Sequence, residues 1–194
     1  MNHMTALRLD RDRDPTADIV PEAYFRCVAV RELEFPSPET AVERQLTEAR
    51  AAWTEKFLYV HLWFKDGWIT KDDTVEVAFQ PEVGINRVVG WKISALGDVW
   101  ALDEGGLKAK DRSRTGPLVK VRRHDAGWVV ELKLSFLKDL IAQPRTGDSW
   151  GLTLHRTDVD RRNRVTHSTF SSDVVGGDES GFRDPRNFGR LLFG

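Results

Sequence analysis

Side chains able to do acid–base, nucleophilic or metal chemistry are present, yet they do not assemble into a catalytic pattern. His61, His124, His155 and His167 are scattered, with no spacing that suggests a metal site. His155 and His167 could meet across neighbouring strands, although two surface histidines are the plainer expectation. The single cysteine, Cys27, lies in the apolar run Tyr24-Phe25-Arg26-Cys27-Val28-Ala29-Val30. It reads as a small buried hydrophobe rather than a nucleophile, and alone it allows neither an intrachain disulfide nor a thiolate zinc site. G-x-S-x-G, Walker A, H-E-x-x-H and G-x-G-x-x-G are all missing. These absences point away from an enzyme. Glu76 stands out for its position: it alternates with Val75, Val77 and Phe79, so it faces outward if they face a core.

The elements that must carry these residues have a period of two. In Phe57–Phe64, Leu58, Val60, Leu62 and Phe64 share one face, and Phe57, Tyr59, His61 and Trp63 the other. Segments 74–79, 128–134 and 150–156 alternate in the same way. Further extended candidates are 24–30, 88–95, 98–103, 118–124, 164–171 and 188–193. Turn signals such as Asp66-Gly67, Gly105-Gly106 and Asp125-Ala126-Gly127 separate them. Short strands with frequent turns predict an all-β antiparallel sandwich, jelly-roll-like. Two segments read otherwise. Val42, Leu46, Ala49 and Trp53 have helical spacing, and Ser135–Ile141 reads as one or two helical turns with Ser135 as N-cap.

The chain has 194 residues, enough for one domain, here taken as residues 21–194 after a mobile lead-in over 1–20. Twenty-nine Lys plus Arg against 30 Asp plus Glu give a net charge of −1, which argues against a nucleic-acid binder. Lys108, Lys110, Arg112, Arg114, Lys120, Arg122 and Arg123 are locally basic. They read as a charge-guarded edge and loop rather than a phosphate-binding surface. No apolar run approaches a membrane span. Met1–Asp14 is polar and charged, unlike a signal peptide; the sequence does not fix the compartment, which is cytoplasmic as the sequence stands, or periplasmic or secreted if a leader precedes it.

Several segments, in order, resemble the family 9 carbohydrate-binding modules and their relatives. Ala51-Ala52-Trp53-Thr54-Glu55-Lys56-Phe57-Leu58-Tyr59-Val60, closing on Lys65-Asp66, is similar to the family's strand, acidic turn and "LYV" strand. Asp73-Thr74-Val75-Glu76-Val77-Ala78-Phe79 resembles its "DSVEIF" strand. Trp91-Lys92-Ile93-Ser94 precedes Gly97-Asp98-Val99-Trp100, Gly127–Leu132 resembles "GYIVEAAI", and Phe182–Leu191 resembles "WRDPSKFGNL". Together these cover roughly residues 45–194. The resemblance implies a β-sandwich, and a strand over 48–53 in place of the helical reading.

It also implies non-catalytic sugar binding, with a sugar held between two aromatic rings and charged side chains on its hydroxyls. A pyranose offers an apolar C–H face to an indole and a hydroxyl edge to strong donors and acceptors. The implied binding residues here are Glu76, Lys92 in place of the family's Arg, and Phe182 in place of its second Trp. Trp68 stands two residues from the first, since direct alignment falls on Thr70. Trp91 is a further stacking candidate. Trp63, Trp91 and Trp100 are ambiguous between core and binding face, Phe57, Tyr59 and Trp63 are either a platform or covered by a loop, and Trp53, Trp128 and Trp150 are core. Arg183-Asp184-Pro185 reads as a structural turn. No resident cofactor is expected beyond a structural calcium, with Asp72, Asp73, Asp158 and Asp160 as possible oxygen ligands. Related domains bind haem through Met, but Met1 and Met4 both fall in the lead-in, which argues against it. The alternative is the same fold with the sugar site lost, serving a protein partner.

Overall fold

The period-two segments fold as strands in the computed structural model, which describes residues 3–10, 29–31, 47–81, 87–103, 106–109, 116–170 and 184–194. Thirteen strands occur among them. The first seven are β1 (His3–Arg8), β2 (Val30–Arg31), β3 (Thr47–Trp53), β4 (Phe57–Lys65), β5 (Thr74–Gln80), β6 (Val89–Ser94) and β7 (Val99–Asp103). The rest are β8 (Gly106–Ala109), β9 (Leu118–His124), β10 (Gly127–Ser135), β11 (Ser149–Val159), β12 (Val165–Phe170) and β13 (Gly189–Phe193).

One continuous ladder runs β8-β7-β6-β5-β11-β13-β1-β3-β4-β10-β9, with β12 added to β11 and β2 to β3. It bends into two walls that share one apolar interior. Val75, Val77 and Phe79 enter from β5, Leu152 and Leu154 from β11. Leu58, Val60, Leu62 and Phe64 enter from β4, and Trp128, Val130, Leu132 and Leu134 from β10. The architecture is the expected all-β sandwich.

Trp53, Phe136, Trp150 and Phe193 form an aromatic seam with ring centroids 4.9–6.5 Å apart, mostly edge to face. The Trp53 indole N–H donates to the Gly194 carbonyl at 3.0 Å. Trp128 stacks on Phe64 at 4.2 Å. All three tryptophans assigned to the core are there.

The N-terminus departs from expectation. Residues 3–8 are not a mobile lead-in but strand β1, running parallel to β13 on one side and to β3 on the other. Hydrogen bonding on both edges joins the two halves of the ladder. Met4 and Ala6 point into the core, and Met4 is 1% exposed. Two small inward residues between charged neighbours are too weak a pattern to register in sequence. Met4→Ala is expected to cost about 2–5 kcal/mol, the range for deleting a buried Met side chain, read as a lower urea midpoint. An unchanged midpoint would return residues 3–8 to a dispensable lead-in.

Segment 47–53 is a strand, as the resemblance implied. Ala49, Ala51 and Trp53 face the core while the backbone pairs with β1 and β4. Ladder bonds on both edges outweigh helix propensity there; Val42 and Leu46 lie outside the described residues. Phe136–Leu140 makes the expected short turn, a single π-helical one. The Ser135 hydroxyl accepts from the Lys138 amide at 3.2 Å, and Asp139 accepts from the Ser135 amide at 2.7 Å. Pro185–Asn187 forms a 3₁₀ turn capped by Asp184, which accepts from the Arg186 amide at 2.9 Å. The Arg186 guanidinium and that amide hold the Asp184 carboxyl below its usual range.

Candidate functional site

The outer face of the β7-β6-β5-β11-β12 wall carries a polar row. Register places Trp100 beside Lys92, Lys92 beside Glu76, Glu76 beside His155, and His155 beside Thr169. Glu76 therefore faces away from the core, as its alternation predicts, yet it is only 4% exposed. Lys92 Nζ lies 3.8 Å from Glu76 Oε1 and is partly exposed. His155 is buried and stacks on His167 with centroids 5.1 Å apart, so the two histidines meet, but not as a surface pair. The Thr74 and Thr153 hydroxyls are buried with no hydrogen-bond partner. Unmet donors and acceptors shielded from bulk water favour a polar ligand over an apolar one. The reachable side chains are Lys92 and Trp100 in the row and His167 beside it.

The remaining candidates separate. Trp68 is 51% exposed, on the loop before β5, with the Arg161 guanidinium 5.0 Å from its ring centroid. Trp91 is a correction: it shares the inward phase of Ile93, is 3% exposed and belongs to the core, so no ligand can stack on it. Phe182 lies outside the described residues. Tyr59 is buried and Phe57 half-buried against Leu7, Leu9 and Ala52. Lys133 Nζ stands 4.3 Å from the Phe57 centroid. Those rings are covered rather than an open platform.

A second polar feature sits at one end of the sandwich. Asp66, Asp73 and Asp158 each supply a carboxylate oxygen within 4.8 Å of the other two. Each continues the inward phase of its strand: Asp66 follows Phe64, Asp73 precedes Val75, and Asp158 follows Leu154 and Arg156. Asp73 and Asp158 were foreseen as oxygen ligands; Asp72 and Asp160 are not in the group. Asp72 has the opposite phase and is exposed, and Asp160 instead holds a turn by accepting from the Arg164 and Arg162 amides. Asp73 accepts from the Val159 amide at 2.7 Å and from the Thr70 amide. Burial, with the Asp66 charge adding, pushes the Asp73 carboxyl up to about 6. Burial also raises Asp158, against the pull of Arg156, whose Nη2 donates to it at 2.6 Å. Among the described residues, three carboxylates face one contacting guanidinium, an excess of two negative charges at the end of a core. Asp66 Oδ2 is buried and has no hydrogen-bond partner. Hard oxygen donors with this excess of charge suit a divalent cation such as calcium.

Residues 34–193 match the family model described as "Carbohydrate family 9 binding domain-like". The chain belongs to that family. No curated protein matches it. Among solved structures, a family 9 carbohydrate-binding module from Caldicellulosiruptor kristjanssonii in complex with cellotriose is 13% identical, with a TM-score of 0.73. That alignment covers 99% of this chain and 93% of the other. A family 9 module from the same organism in complex with glucose is 14% identical, with a TM-score of 0.67, covering 100% and 96%. A candidate carbohydrate-binding protein from Bacteroides uniformis has 13% identity and a TM-score of 0.74 over 99% of both chains. At these identities the likeness is one of fold.

Within this family 9 domain, sequence reasoning missed Asp66 as a member of the carboxylate group, Arg161 beside Trp68, and the buried hydroxyls of Thr74 and Thr153. The Asp66 signal was available, since the Lys65-Asp66 pair closes a strand whose inward residues include Phe64. Arg161 carried no signal, because only the meeting of two loops brings it to Trp68.

Proposed function

We propose that this domain binds carbohydrate without transforming it, at the row of Lys92, Glu76 and His155 and the ring of Trp68. Membership of family 9 carries the reading, supported by the cellotriose and glucose held by modules of the same fold. Lys92 is the reachable donor for a sugar hydroxyl, and Glu76 behind it orients the ammonium and accepts where a hydroxyl can enter. Trp68 offers an exposed ring for a sugar's C–H face. Phe182 is the second ring of the pair.

Retention on insoluble polysaccharides and a glycan array tests this. Trp68→Ala, Phe182→Ala and Lys92→Ala are each expected to weaken binding on the order of tenfold, the scale of one ring contact or one charged hydrogen bond. Wild-type and variant proteins retained equally would remove these side chains from the site. Failure of the wild type on every glycan would favour the alternative, a fold kept for a protein partner.

We also infer that Asp66, Asp73 and Asp158 hold a calcium ion. The excess of two negative charges and the unpartnered Asp66 oxygen support it. The ion would neutralise the cluster and fix the end of the sandwich.

A further inference from the structure

Two loops meet above the carboxylate cluster. The first, residues 66–73, begins and ends on a cluster carboxylate. Asp66 Oδ1 accepts from the Trp68 amide at 2.8 Å, and Asp73 Oδ2 from the Thr70 amide. The second loop leaves β11 just after Asp158 and is closed by Asp160, which accepts from the Arg162 amide at 2.8 Å and the Arg164 amide at 2.9 Å. The loops are stitched at their base, where Asp73 Oδ1 accepts from the Val159 amide at 2.7 Å. They touch again at their tips, where Arg161 lies 5.0 Å from the Trp68 ring centroid.

We infer that a divalent cation on Asp66, Asp73 and Asp158 sets the Trp68–Arg161 pair in place and so controls the affinity of the sugar surface. This rests on the sugar-binding reading above. The observation that points to a cation, apart from the acidic grouping, is Asp66 Oδ2: the residue is only 3% exposed, and this buried oxygen has no hydrogen-bond partner. Without a cation, three carboxylates within 4.8 Å repel one another, with Arg156 the cation in contact with them among the described residues. With one, they are drawn together. Trp68 is one hydrogen bond from Asp66, so movement at the cluster reaches the indole directly. Arg161 sits on the turn that follows the strand delivering Asp158. Bringing the two loops together seats the guanidinium on one face of the ring. Trp68 keeps 51% of its surface exposed in that arrangement, which leaves ring surface for a sugar and places planar donors beside it.

The test compares calcium-loaded and chelator-treated protein in two measurements: cellotriose binding by calorimetry, and iodide quenching of tryptophan fluorescence. Trp68 is the exposed tryptophan, and Trp68→Phe assigns the quenching signal. Chelation is expected to weaken cellotriose binding on the order of tenfold, a typical coupling between sites, and to alter quenching in the wild type but not in Trp68→Phe. Asp66→Asn should reproduce the chelated behaviour with calcium present. Should that variant fail to fold, the exposed Arg161→Ala serves, and it should shrink the calcium-dependent ratio. Equal cellotriose affinity in both states, with calcium binding seen directly, overturns the coupling and leaves the sugar reading standing. Absence of calcium binding overturns it as well. No cellotriose binding in either state defeats the sugar reading and with it control of affinity; the quenching then reports only whether calcium orders Trp68.

Discussion

Arg156→Ala is expected to lower unfolding stability by about 3–5 kcal/mol, the range for removing one partner of a buried ion pair. Arg156 occupies a core-facing position on β11, in phase with Leu152 and Leu154, and is 2% exposed. Its guanidinium spans the sandwich. Nη1 donates to Thr47 Oγ1 at 3.3 Å, and Nη2 donates to the Lys65 carbonyl at 3.0 Å and to Asp158 at 2.6 Å. The group also lies 5.4 Å from the Phe64 ring centroid. One side chain thus ties β11 to β3 and to the end of β4. Alanine would leave a cavity, an unmet Lys65 carbonyl and an Asp158 charge beside those of Asp66 and Asp73. Arg156→Met separates these effects, because it keeps most of the stem volume and removes the charge. It should recover part of the packing loss only. The same variant should bind calcium more tightly, since the nearest positive charge is gone. Destabilisation without calcium together with tighter calcium binding is the signature; a methionine variant as stable as the wild type, with unchanged calcium affinity, would show that the guanidinium does neither job.

Strand phase explains what was readable in sequence and what was not. The strands with four alternating apolar residues, such as Leu58–Phe64 and Trp128–Leu134, were legible because one face must be buried. β1 was not, since Met4 and Ala6 supply only two inward positions and its two partners lie far along the chain. The direction of Glu76 followed from Val75 and Val77, but its burial did not, because shielding depends on what covers a face. Trp91 was ambiguous for the opposite reason. A tryptophan suits both a core and a sugar, and only pairing with Val77 on β5 settles which side it takes. The carboxylate cluster was half legible. Extending the inward phase beyond each strand end selects Asp73 over Asp72 and Asp158 over Asp160. That the ends of β4, β5 and β11 coincide is a property of the sheet order, which the local pattern does not contain. Trp68 illustrates the limit of resemblance: the aligned position is Thr70, and the ring two residues earlier is the exposed one, its amide donating to Asp66.

Removal of the proposed calcium ion is the second large expected effect. At a hundredfold excess of calcium over its Kd, binding to the folded state alone adds about 2.7 kcal/mol of stability, so a chelator should lower Tm clearly at pH 7. The pH dependence fixes the cause. In chelated protein the Asp73 carboxyl sits at about 6, above its ordinary value of 3.8, because burial disfavours the charge. Between those values the folded state holds more protons than the unfolded one, so stability falls as pH rises through roughly 4 to 6. Asp158, raised by burial, contributes in the same direction. Calcium requires the same oxygens ionised, so its contribution is small near pH 4 and grows through that window. Asp160 and Asp184 act the other way, since their carboxyls are held low by Arg164 and Arg186, but they are open to solvent, weakly coupled to stability, and common to both samples. The quantity to measure is therefore the difference between melting curves with calcium and with chelator across pH 4 to 7. It should open from near zero to its full value by pH 7. A difference that is constant with pH would place the ion elsewhere, and no difference at pH 7 would mean that the protein tolerates two uncompensated charges at the end of its core.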